Sequence, residues 1–378
     1  MRFYRSFPRF VMLATLAVIL VVGSFVTSAI LTAVVKRLAA RAGFVAHPRA
    51  DRYHRSVVPL GGGIAIFAAL SVVILAAAAA VKFLIVPGQL RWLTERTGVE
   101  PTHFLAKTDQ LAIIWLCAFV LFLLGLWDDK KRLGPFLKLA VQFTVAIVAA
   151  AFGQVRVELF IQNTAVTSAL SAVWIVLIIN AFNFLDNMDG AAAGIALIAG
   201  SILFTAAATS SQILVGGLAL VFIGALSGFL VFNFPPAKIF MGDAGSLVVG
   251  FFVALLTLRT TYYHEAQSGQ WYSVFMPLVV MAVPLYDFIS VTLLRISQGK
   301  SPLVGDTQHF SHRLKRRGLT ETQTVLTLYL TTLCTGLGAT FLYQVSLFGA
   351  ILIFAQTIMV LCIIAVLETG IKDDDSRS

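Results

Sequence analysis

The chain has 378 residues, of which 58% are hydrophobic and only 12% are charged, and its net charge is +10. A soluble domain usually carries about 25% charged residues, so this composition excludes an ordinary soluble protein. The positive charge favours anionic lipid or a phosphorylated substrate, whereas no basic, aromatic-rich domain separates the apolar segments, which argues against nucleic acid. The three cysteines all lie in apolar segments without a pairing pattern, so we interpret them as small buried residues.

Apolar segments long enough for a helix to cross the hydrocarbon of a bilayer recur along almost the whole chain. Backbone polar groups must be hydrogen-bonded internally in lipid, so these segments are expected to be helices. The sequence therefore predicts an all-α, polytopic integral membrane protein, with one domain over residues 1–371 and a disordered tail over 372–378. About eleven spans are predicted, at 10–35, 61–86, 109–127, 136–153, 168–184, 190–209, 212–232, 243–260, 271–294, 322–342 and 346–367.

The loops between these segments divide unequally in charge. If every predicted segment crosses the membrane, roughly two thirds of the lysines and arginines fall on one face, which the positive-inside rule makes cytoplasmic. Arg2, Arg5 and Arg9 fall on the other face, but the bias of the whole chain outweighs them. The polar runs described next, and the C-terminus, all fall on the predicted cytoplasmic face.

Asp128 and Asp129 close the third predicted span. The C-terminus of a helix carries partial negative charge, so two adjacent carboxylates are unfavourable there without a cation. The pair is therefore a candidate for binding a metal. The alternative is a solvated cluster at the membrane boundary, neutralised by Lys130, Lys131 and Arg132.

A polar stripe ends the fifth predicted span. Asn180, Asn183, Asp186 and Asp189 recur every three residues, so a helix or 3₁₀ turn presents them on one side. Unpaired polar groups are costly at the membrane boundary, so such a stripe indicates a binding function. Helix capping by Asp189 is the alternative, but it accounts for one of the four residues.

A run from Asn233 to Ser246 precedes the eighth predicted span. Its prolines end the preceding helix, and Gly242 lets the backbone approach a ligand. Asp243 falls at a helix start, where it can cap the helix and where free N–H groups favour phosphate. Phe240 either stacks on a base or faces lipid, and composition alone favours lipid.

A long basic loop follows the ninth predicted span. Asp306, His309 and His312 are spaced three apart in it, so one helical face can present them together. Histidine and arginine beside a carboxylate are suited to binding phosphate, which adds Arg313 to the set. A positive-inside anchor is the alternative, and it explains the basic residues but not the spacing of the others.

Taken in order, these runs resemble the polyprenyl-phosphate N-acetylhexosamine-1-phosphate transferase family over about residues 45–320. Any one of them is a weak signal, but five in family order on one predicted face are a strong one. The matching elements are the loop with Arg52 and His54 before three glycines, Asp128-Asp129, the Asn-x-x-Asn-x-x-Asp-x-x-Asp-Gly run from Asn180, Phe-Met-Gly-Asp-x-Gly-Ser from Phe240, and Asp-x-x-His-x-x-His-Arg-Leu from Asp306.

The chain departs from the family pattern at three positions. Asn187 stands where the family usually has glycine, and Ser311 stands where a His-x-His-His pattern has its second histidine. Val57 replaces a usual proline. The Ser311 departure leaves the role of that histidine open in this chain, while His309 and His312 remain.

The resemblance implies that an N-acetylhexosamine 1-phosphate, most closely GlcNAc 1-phosphate, passes from a UDP-sugar to undecaprenyl phosphate with release of UMP. It implies a bacterial inner-membrane enzyme that starts cell-envelope polysaccharides such as lipopolysaccharide or teichoic acid, uses Mg²⁺ (or Mn²⁺), and leaves the oligomeric state open, a homodimer included. The implied catalytic residues are Asp128, Asp129, Asp243, His309 and His312. The implied substrate-binding residues are His54, Asn183, Asp186, Asp189, Asn233, Phe240 and Arg313. The implied metal ligands are Asp243, Asp128, Asp129 and Asp186.

Three other functions are weighed against this one. A phospho-MurNAc-pentapeptide transferase belongs to the same family, but its histidine loop has consecutive histidines followed by an acidic patch. A secondary transporter keeps ionisable groups near the midplane on broken helices, and here Asp287 is the main such residue inside a predicted span. An inactive membrane scaffold is disfavoured by the complete set of aspartates.

Overall fold

The computed structural model describes residues 2–46, 57–97, 104–157, 161–260, 262, 271–301 and 309–369. This part is almost entirely helical. It also contains a π-helical turn, Val81–Ile85, and a 3₁₀ turn, Trp271–Phe275. In chain order the helices are α1 (Arg2–Arg41), α2 (Gly62–Ala80), α3 (Arg91–Thr97), α4 (Thr108–Lys130), α5 (Pro135–Ala151), α6 (Thr164–Leu185), α7 (Ala191–Thr209), α8 (Ile213–Asn233), α9 (Asp243–Arg259), α10 (Met276–Val280), α11 (Ala282–Ser297), α12 (Phe310–Arg316), α13 (Glu321–Ala339) and α14 (Leu347–Thr369).

Within the described residues, seven helices are long and apolar enough to cross a membrane: α1, α2, α4, α6, α7, α8 and α14. An eighth crossing is added if Trp271–Val280 and Ala282–Ser297, which meet at a 64° bend, form one span. The apolar helices α5 and α9 have only 17 residues each, about 25 Å of helix, which is shorter than the hydrocarbon of a typical bilayer. The all-α polytopic fold is confirmed, and a helix lies at each of the predicted positions, but length and composition support seven or eight crossings.

Helix α9 is the central helix of the bundle. Every residue from Ala244 to Thr257 is buried, and the helix packs against α2, α4, α6 and α7. A helix that is apolar on all sides is typical of a buried position, whereas peripheral helices such as α14 expose apolar side chains. Asp243, the first residue of α9, therefore lies at the centre of one end of the bundle.

Two glycines bring neighbouring helices into backbone contact with the first turn of α9. A Cβ on Gly63 of α2 would lie 2.2 Å from the nitrogen of Gly245, and one on Gly125 of α4 would lie 2.4 Å from the carbonyl oxygen of Asp243. A side chain at either position would have to push the helices apart, because packed helices leave no space for it. The end of α4, with its pair of aspartates, is thereby held beside the start of α9.

A two-stranded ribbon holds the segment that leads into α9. Strand β1 (Val45–Ala46) pairs antiparallel with β2 (Val58–Pro59). The backbone N–H of Phe240 donates to the carbonyl oxygen of Pro59 at 2.9 Å, and the N–H of Gly62 donates to the carbonyl oxygen of Phe240 at 2.9 Å. The start of α2 and the approach to α9 are thus joined by backbone hydrogen bonds.

Candidate active site

Two carboxylates from distant parts of the chain meet one ammonium group. The Nζ of Lys138 donates to Asp128 Oδ2 at 2.7 Å and to Asp243 Oδ2 at 2.6 Å. The three side chains are between 12% and 28% exposed, so they are shielded but reachable. They come from the end of α4, the first turns of α5 and the start of α9. We call this group of Asp128, Lys138 and Asp243 the carboxylate centre.

Local structure fixes both Asp128 and Lys138. Asp128 Oδ1 accepts a hydrogen bond from the backbone N–H of Leu133 at 2.6 Å, which stabilises the connection between α4 and α5. Pro135 begins α5, a position that suits proline because its missing N–H has no partner in the helix. Lys138 lies in the first turn of this helix, so the short connection directs its side chain back towards the end of α4.

Asp129 caps α9 from outside that helix. Its Oδ1 accepts from the N–H of Asp243 at 2.9 Å, and its Oδ2 accepts from the N–H of Ala244 at 3.2 Å. A negative charge is favourable at a helix N-terminus, and Gly242, with φ of 71°, lets the carboxylate approach. Asp129 therefore accepts from the first two free N–H groups of α9, and the binding of a substrate phosphate at this helix start stays a prediction. No contact tests the predicted catalytic and metal-binding roles of Asp129.

The predicted polar stripe on α6 divides between two neighbouring helices. The Nδ2 of Asn183 donates to Ser246 Oγ on α9 at 2.9 Å. One turn earlier, the Nδ2 of Asn180 donates to Gln142 Oε1 on α5 at 2.7 Å. Asp186 follows the last residue of α6 and is half-buried. Asn183 thus lies beside the first turn of α9, while Asn180 ties α6 to the helix that carries the lysine.

Asp189 and Asn233 hold two polar runs against each other. Asp189 Oδ2 accepts from the N–H of Ala237 at 2.7 Å, and Asn233 Oδ1 accepts from the N–H of Gly190 at 3.1 Å. The Nδ2 of Asn233 donates to the carbonyl oxygen of Ile239 at 2.9 Å. Burial raises the pKa of Asp189 to about 6, against the lowering effect of its backbone hydrogen bond. The two residues connect the turn before α7 with the segment before α9; their predicted contact with substrate stays a prediction.

The predicted histidines lie on a second polar structure, formed by α12 and the residue before it. His309 Nδ1 lies 2.9 Å from Asp287 Oδ2, and the N–H of Phe310 donates to Asp287 Oδ1 at 2.9 Å. Burial, and next the charge of His309, lower the pKa of His312 to about 4, so His312 is neutral at pH 7. We call α12 together with His309 the histidine helix.

Arg313 is engaged inside the protein. Its Nη2 lies 2.8 Å from Glu368 Oε2 at the end of α14 and donates to Ser290 Oγ on α11 at 2.9 Å. The side chain of Arg313 is 13% exposed. These contacts stabilise the histidine helix, and the predicted role of Arg313 in binding phosphate stays a prediction.

Sequence reasoning missed two residues of these structures. Lys138 was placed inside a predicted span and Glu368 near the end of the last one, without a function for either. The signal for both was present, because an ionisable residue in or beside a membrane span usually has a partner or a function. His54 and Asp306 lie outside the described residues.

The carboxylate centre fits a divalent cation that shares its ligands with a substrate. Among the described residues, no three His, Cys, Asp or Glu side chains are grouped to hold a metal by themselves. Mg²⁺, however, usually takes only one or two carboxylates together with phosphate oxygens and water. Asp128 and Asp243 already converge on one cationic group, so they match this donor set. For Asp129 and Asp186, ligation of a metal stays a prediction.

Comparison with known proteins places this geometry in context. Residues 111–261, which include the whole carboxylate centre, match the model of glycosyl transferase family 4. The chain is 32% identical over 315 residues to the probable undecaprenyl-phosphate N-acetylglucosaminyl 1-phosphate transferase of Bacillus subtilis strain 168, covering 81% of this chain and 79% of that protein. It is 31% identical to the decaprenyl-phosphate N-acetylglucosaminephosphotransferase of Mycolicibacterium smegmatis, covering 78% and 74%. It is 27% identical to the undecaprenyl-phosphate alpha-N-acetylglucosaminyl 1-phosphate transferase of Escherichia coli K12, covering 76% and 73%.

Proposed function

This chain belongs to glycosyl transferase family 4, and from that premise we propose that it transfers GlcNAc 1-phosphate from UDP-GlcNAc to undecaprenyl phosphate, with release of UMP. The single observation that supports this most is the carboxylate centre, in which Lys138 Nζ lies 2.7 Å and 2.6 Å from two carboxylates at one end of a membrane-embedded bundle. The names of three relatives, which act on polyprenyl phosphates, support the lipid acceptor.

The chemistry of this reaction is mainly neutralisation of charge. Both substrates are anionic, and phosphoryl transfer depends on positioning and on electrostatic stabilisation rather than on covalent help from the protein. Lys138 has three N–H donors, of which Asp128 and Asp243 use two, so it can also donate to a phosphate oxygen. The two carboxylates keep the ammonium charged and aimed at the site.

Asp128 and Asp243 are the residues that would hold Mg²⁺. The cation would supply Lewis-acid stabilisation of the phosphate oxygens. The carboxylate centre suits this, because two carboxylates and one ammonium leave a net negative charge for a further cation to balance. Asn183, which lies beside the first turn of α9 through Ser246, would orient the nucleotide portion of the donor.

The phosphate of the lipid acts as nucleophile. A phosphate monoester has a second pKa near ~6, so it is mostly ionised at pH 7 and needs no strong general base. Asp128 aligns the attacking phosphate through Lys138, and a covalent enzyme intermediate is not needed by this scheme.

The lipid reaches the site from the side. Phe136, two residues before Lys138, is 78% exposed, and further apolar residues of α5 are exposed along the same helix. Apolar surface for a polyprenyl chain therefore begins next to the lysine. In this proposal the bundle crosses the bacterial inner membrane about eleven times, with the shorter helices α5 and α9 included, and the carboxylate centre faces the cytoplasm.

The direct test is release of UMP by the purified protein. The protein is incubated in detergent with undecaprenyl phosphate, Mg²⁺ and one of several UDP-sugars, including UDP-GlcNAc and UDP-MurNAc-pentapeptide. We expect UMP only when lipid phosphate and UDP-GlcNAc are both present, and loss of release on chelation that added Mg²⁺ or Mn²⁺ restores. Release with UDP-MurNAc-pentapeptide instead would move the chain to the other branch of the family. If a thermal unfolding transition shows that the protein is folded and no sugar nucleotide gives UMP, the proposal is contradicted.

A further inference from the structure

Two of the positions at which the sequence departs from the family pattern touch each other. The Oγ of Ser311, on α12, donates a hydrogen bond of 2.5 Å to Asn187 Oδ1, in the turn between α6 and α7. The residues are 124 positions apart. Ser311 is 1% exposed, so this contact is made in the interior of the protein. The two departures are therefore adjacent in space although they belong to different motifs.

Asn187 also serves the end of α6. Its Nδ2 donates to the carbonyl oxygen of Phe184 at 2.6 Å, so one amide side chain joins the last turn of α6 to α12. The backbone at this position does not require glycine. In the described part of the chain, the residues other than glycine with positive φ are Gln154 and Ser211, so Asn187 has an ordinary conformation. The choice between glycine and asparagine here concerns side-chain space and hydrogen bonding.

We propose that Asn187 and Ser311 are a matched pair of positioning residues, which sets how the histidine helix docks on the turn after α6. Rather than two separate losses, the departures form one contact in this chain, a hydrogen bond that joins α12 to the turn after α6 in the interior. The proposal rests on the proposed function, because it assigns the pair to the alignment of that site.

The position of this contact distinguishes it from ordinary packing. Asp287 and Ser290 tie the histidine helix to α11, through hydrogen bonds to His309 and Arg313 of 2.9 Å each. Asn187, by contrast, lies in the turn before Gly190, and Asn233 joins that turn to the segment leading into α9 through its hydrogen bonds to Gly190 and Ile239. The Asn187–Ser311 contact thus links the histidine helix to the side of the bundle that carries the carboxylate centre.

Exchange of one partner alone should misplace the histidine helix. An imidazole in place of Ser311 has no space beside Asn187 in this buried contact, so α12 must shift, while Asp287 still holds it to α11. Glycine in place of Asn187 leaves the Ser311 hydroxyl and the Phe184 carbonyl without the amide that serves both. Together, the two changes open a space for the imidazole and leave it the Phe184 carbonyl as an acceptor.

A double-mutant cycle tests this coupling. Asn187→Gly, Ser311→His and the double variant are purified, and kcat and KM for both substrates are measured by UMP release. We expect each single variant to lose about tenfold in kcat with smaller changes in KM, and the double variant to recover to within about threefold of the wild type. The proposal would be overturned if the loss of kcat in the double variant equals the product of the losses in the two single variants.

A matched control changes a different hydrogen bond of the same helix. Ser290→Ala removes the hydroxyl that accepts from Arg313 but touches neither member of the pair. In the double variant with Asn187→Gly, the loss in kcat should equal the product of the two single losses. Thermal unfolding of all variants adds a readout that does not depend on activity, and the Tm losses of the Asn187–Ser311 cycle should be less than additive. If the wild type releases no UMP, the proposed function fails, and the Tm cycle alone then decides whether the residues are matched; additive Tm losses would refute the pair.

Discussion

The carboxylate centre and the histidine helix are both polar structures in an apolar bundle, but they are held in different ways. The carboxylate centre is fixed by backbone contact, because Gly63 and Gly125 bring α2 and α4 directly against the first turn of α9. The histidine helix is fixed by side chains, through Asp287, Glu368 and Asn187 on three other elements. Backbone contact leaves charged groups partly open to a substrate, whereas positioning by side chains uses up their hydrogen-bonding groups. The first structure is therefore suited to reaction, and the second to placing its histidines.

The largest expected effect is at the carboxylate centre. Asp243→Asn removes the charge that pairs with Lys138 and, in the proposed function, binds Mg²⁺. We expect at least about a 100-fold loss of kcat in UMP release, with unfolding little changed. Asp109→Asn, an exposed aspartate at the other end of α4, is the matched control and should keep normal activity. Near-normal turnover of Asp243→Asn would remove this residue from the site.

The Lys138→Met substitution should lower kcat nearly as much as Asp243→Asn. It leaves two carboxylates facing each other without their shared ammonium and removes a donor to phosphate, so we expect about a 100-fold loss of kcat. Lys131→Met removes the same charge from an exposed position just after α4 and should lower activity less than about twofold. Equal losses in the two variants would show that total positive charge matters, rather than the placement of Lys138.

Gly125→Ala tests whether backbone contact holds the carboxylate centre together. The added methyl group would lie 2.4 Å from the carbonyl oxygen of Asp243, so α4 must move away from α9. We expect a loss of about 1–3 kcal/mol in stability together with lower kcat. Gly134→Ala is the control, since nothing lies within 4 Å of its Cβ and its φ is −65°. Unchanged Tm and turnover in Gly125→Ala would show that the helices can separate without consequence.

On the histidine helix we expect smaller effects. Glu368→Gln weakens the 2.8 Å ion pair with Arg313, so the free energy of unfolding should fall by about 1–3 kcal/mol, with a several-fold loss of kcat. Glu321→Gln is the control. Its 3.6 Å pair with Lys315 is more exposed and should contribute less than about 1 kcal/mol. Similar Tm values for the two variants would mean that the buried pair does not stabilise this region.

The smallest effect is a dependence of stability on pH. The pKa of His312 is about 4 in the folded protein, below its ordinary value of 6.5, so the unfolded chain takes up a proton between these values that the folded protein does not. Stability therefore falls as pH decreases from 6.5 to 4. Asp189, with its pKa raised to about 6, acts in the opposite direction over part of this range. Comparing the Tm of His312→Gln and the wild type at each pH isolates the histidine, and the variant should lose less on acidification. If the Tm of the two proteins falls in parallel as the pH is lowered, the pKa of His312 is not lowered by folding.

Much of this protein could be read from its sequence because the signals are local. The apolar length of each segment predicted a helix, and the structure has one at every predicted span, whereas the short helices α3 and α12 lie outside those spans. The order of the motifs indicated the family that the comparisons confirm. The motif around Asp243 likewise marked the first residue of the central helix. The count of about eleven crossings stays a prediction, because α5 and α9 have only 17 residues each and α9 is surrounded by α2, α4, α6 and α7.

The stripe on α6 shows the limit of periodicity. Spacing of three predicted one polar side, yet Asn180 faces α5, Asn183 faces α9 and Asp189 ties down the segment before α9. A period describes one helix in isolation, and the neighbours that surround its end decide what each residue meets.

The sequence by itself determined a membrane-embedded, all-helical chain and supplied the candidates for its chemistry, since hydrophobic length and short motifs are properties of neighbouring residues. Only the tertiary structure decided which of them meet. Lys138 bonds to Asp243 across 105 positions, Asp129 caps a helix 114 positions away, and Ser311 finds Asn187 across 124. Such contacts depend on how separate helices approach each other at their ends, through glycines at the carboxylate centre and through side chains at the histidine helix, and no single segment specifies that approach.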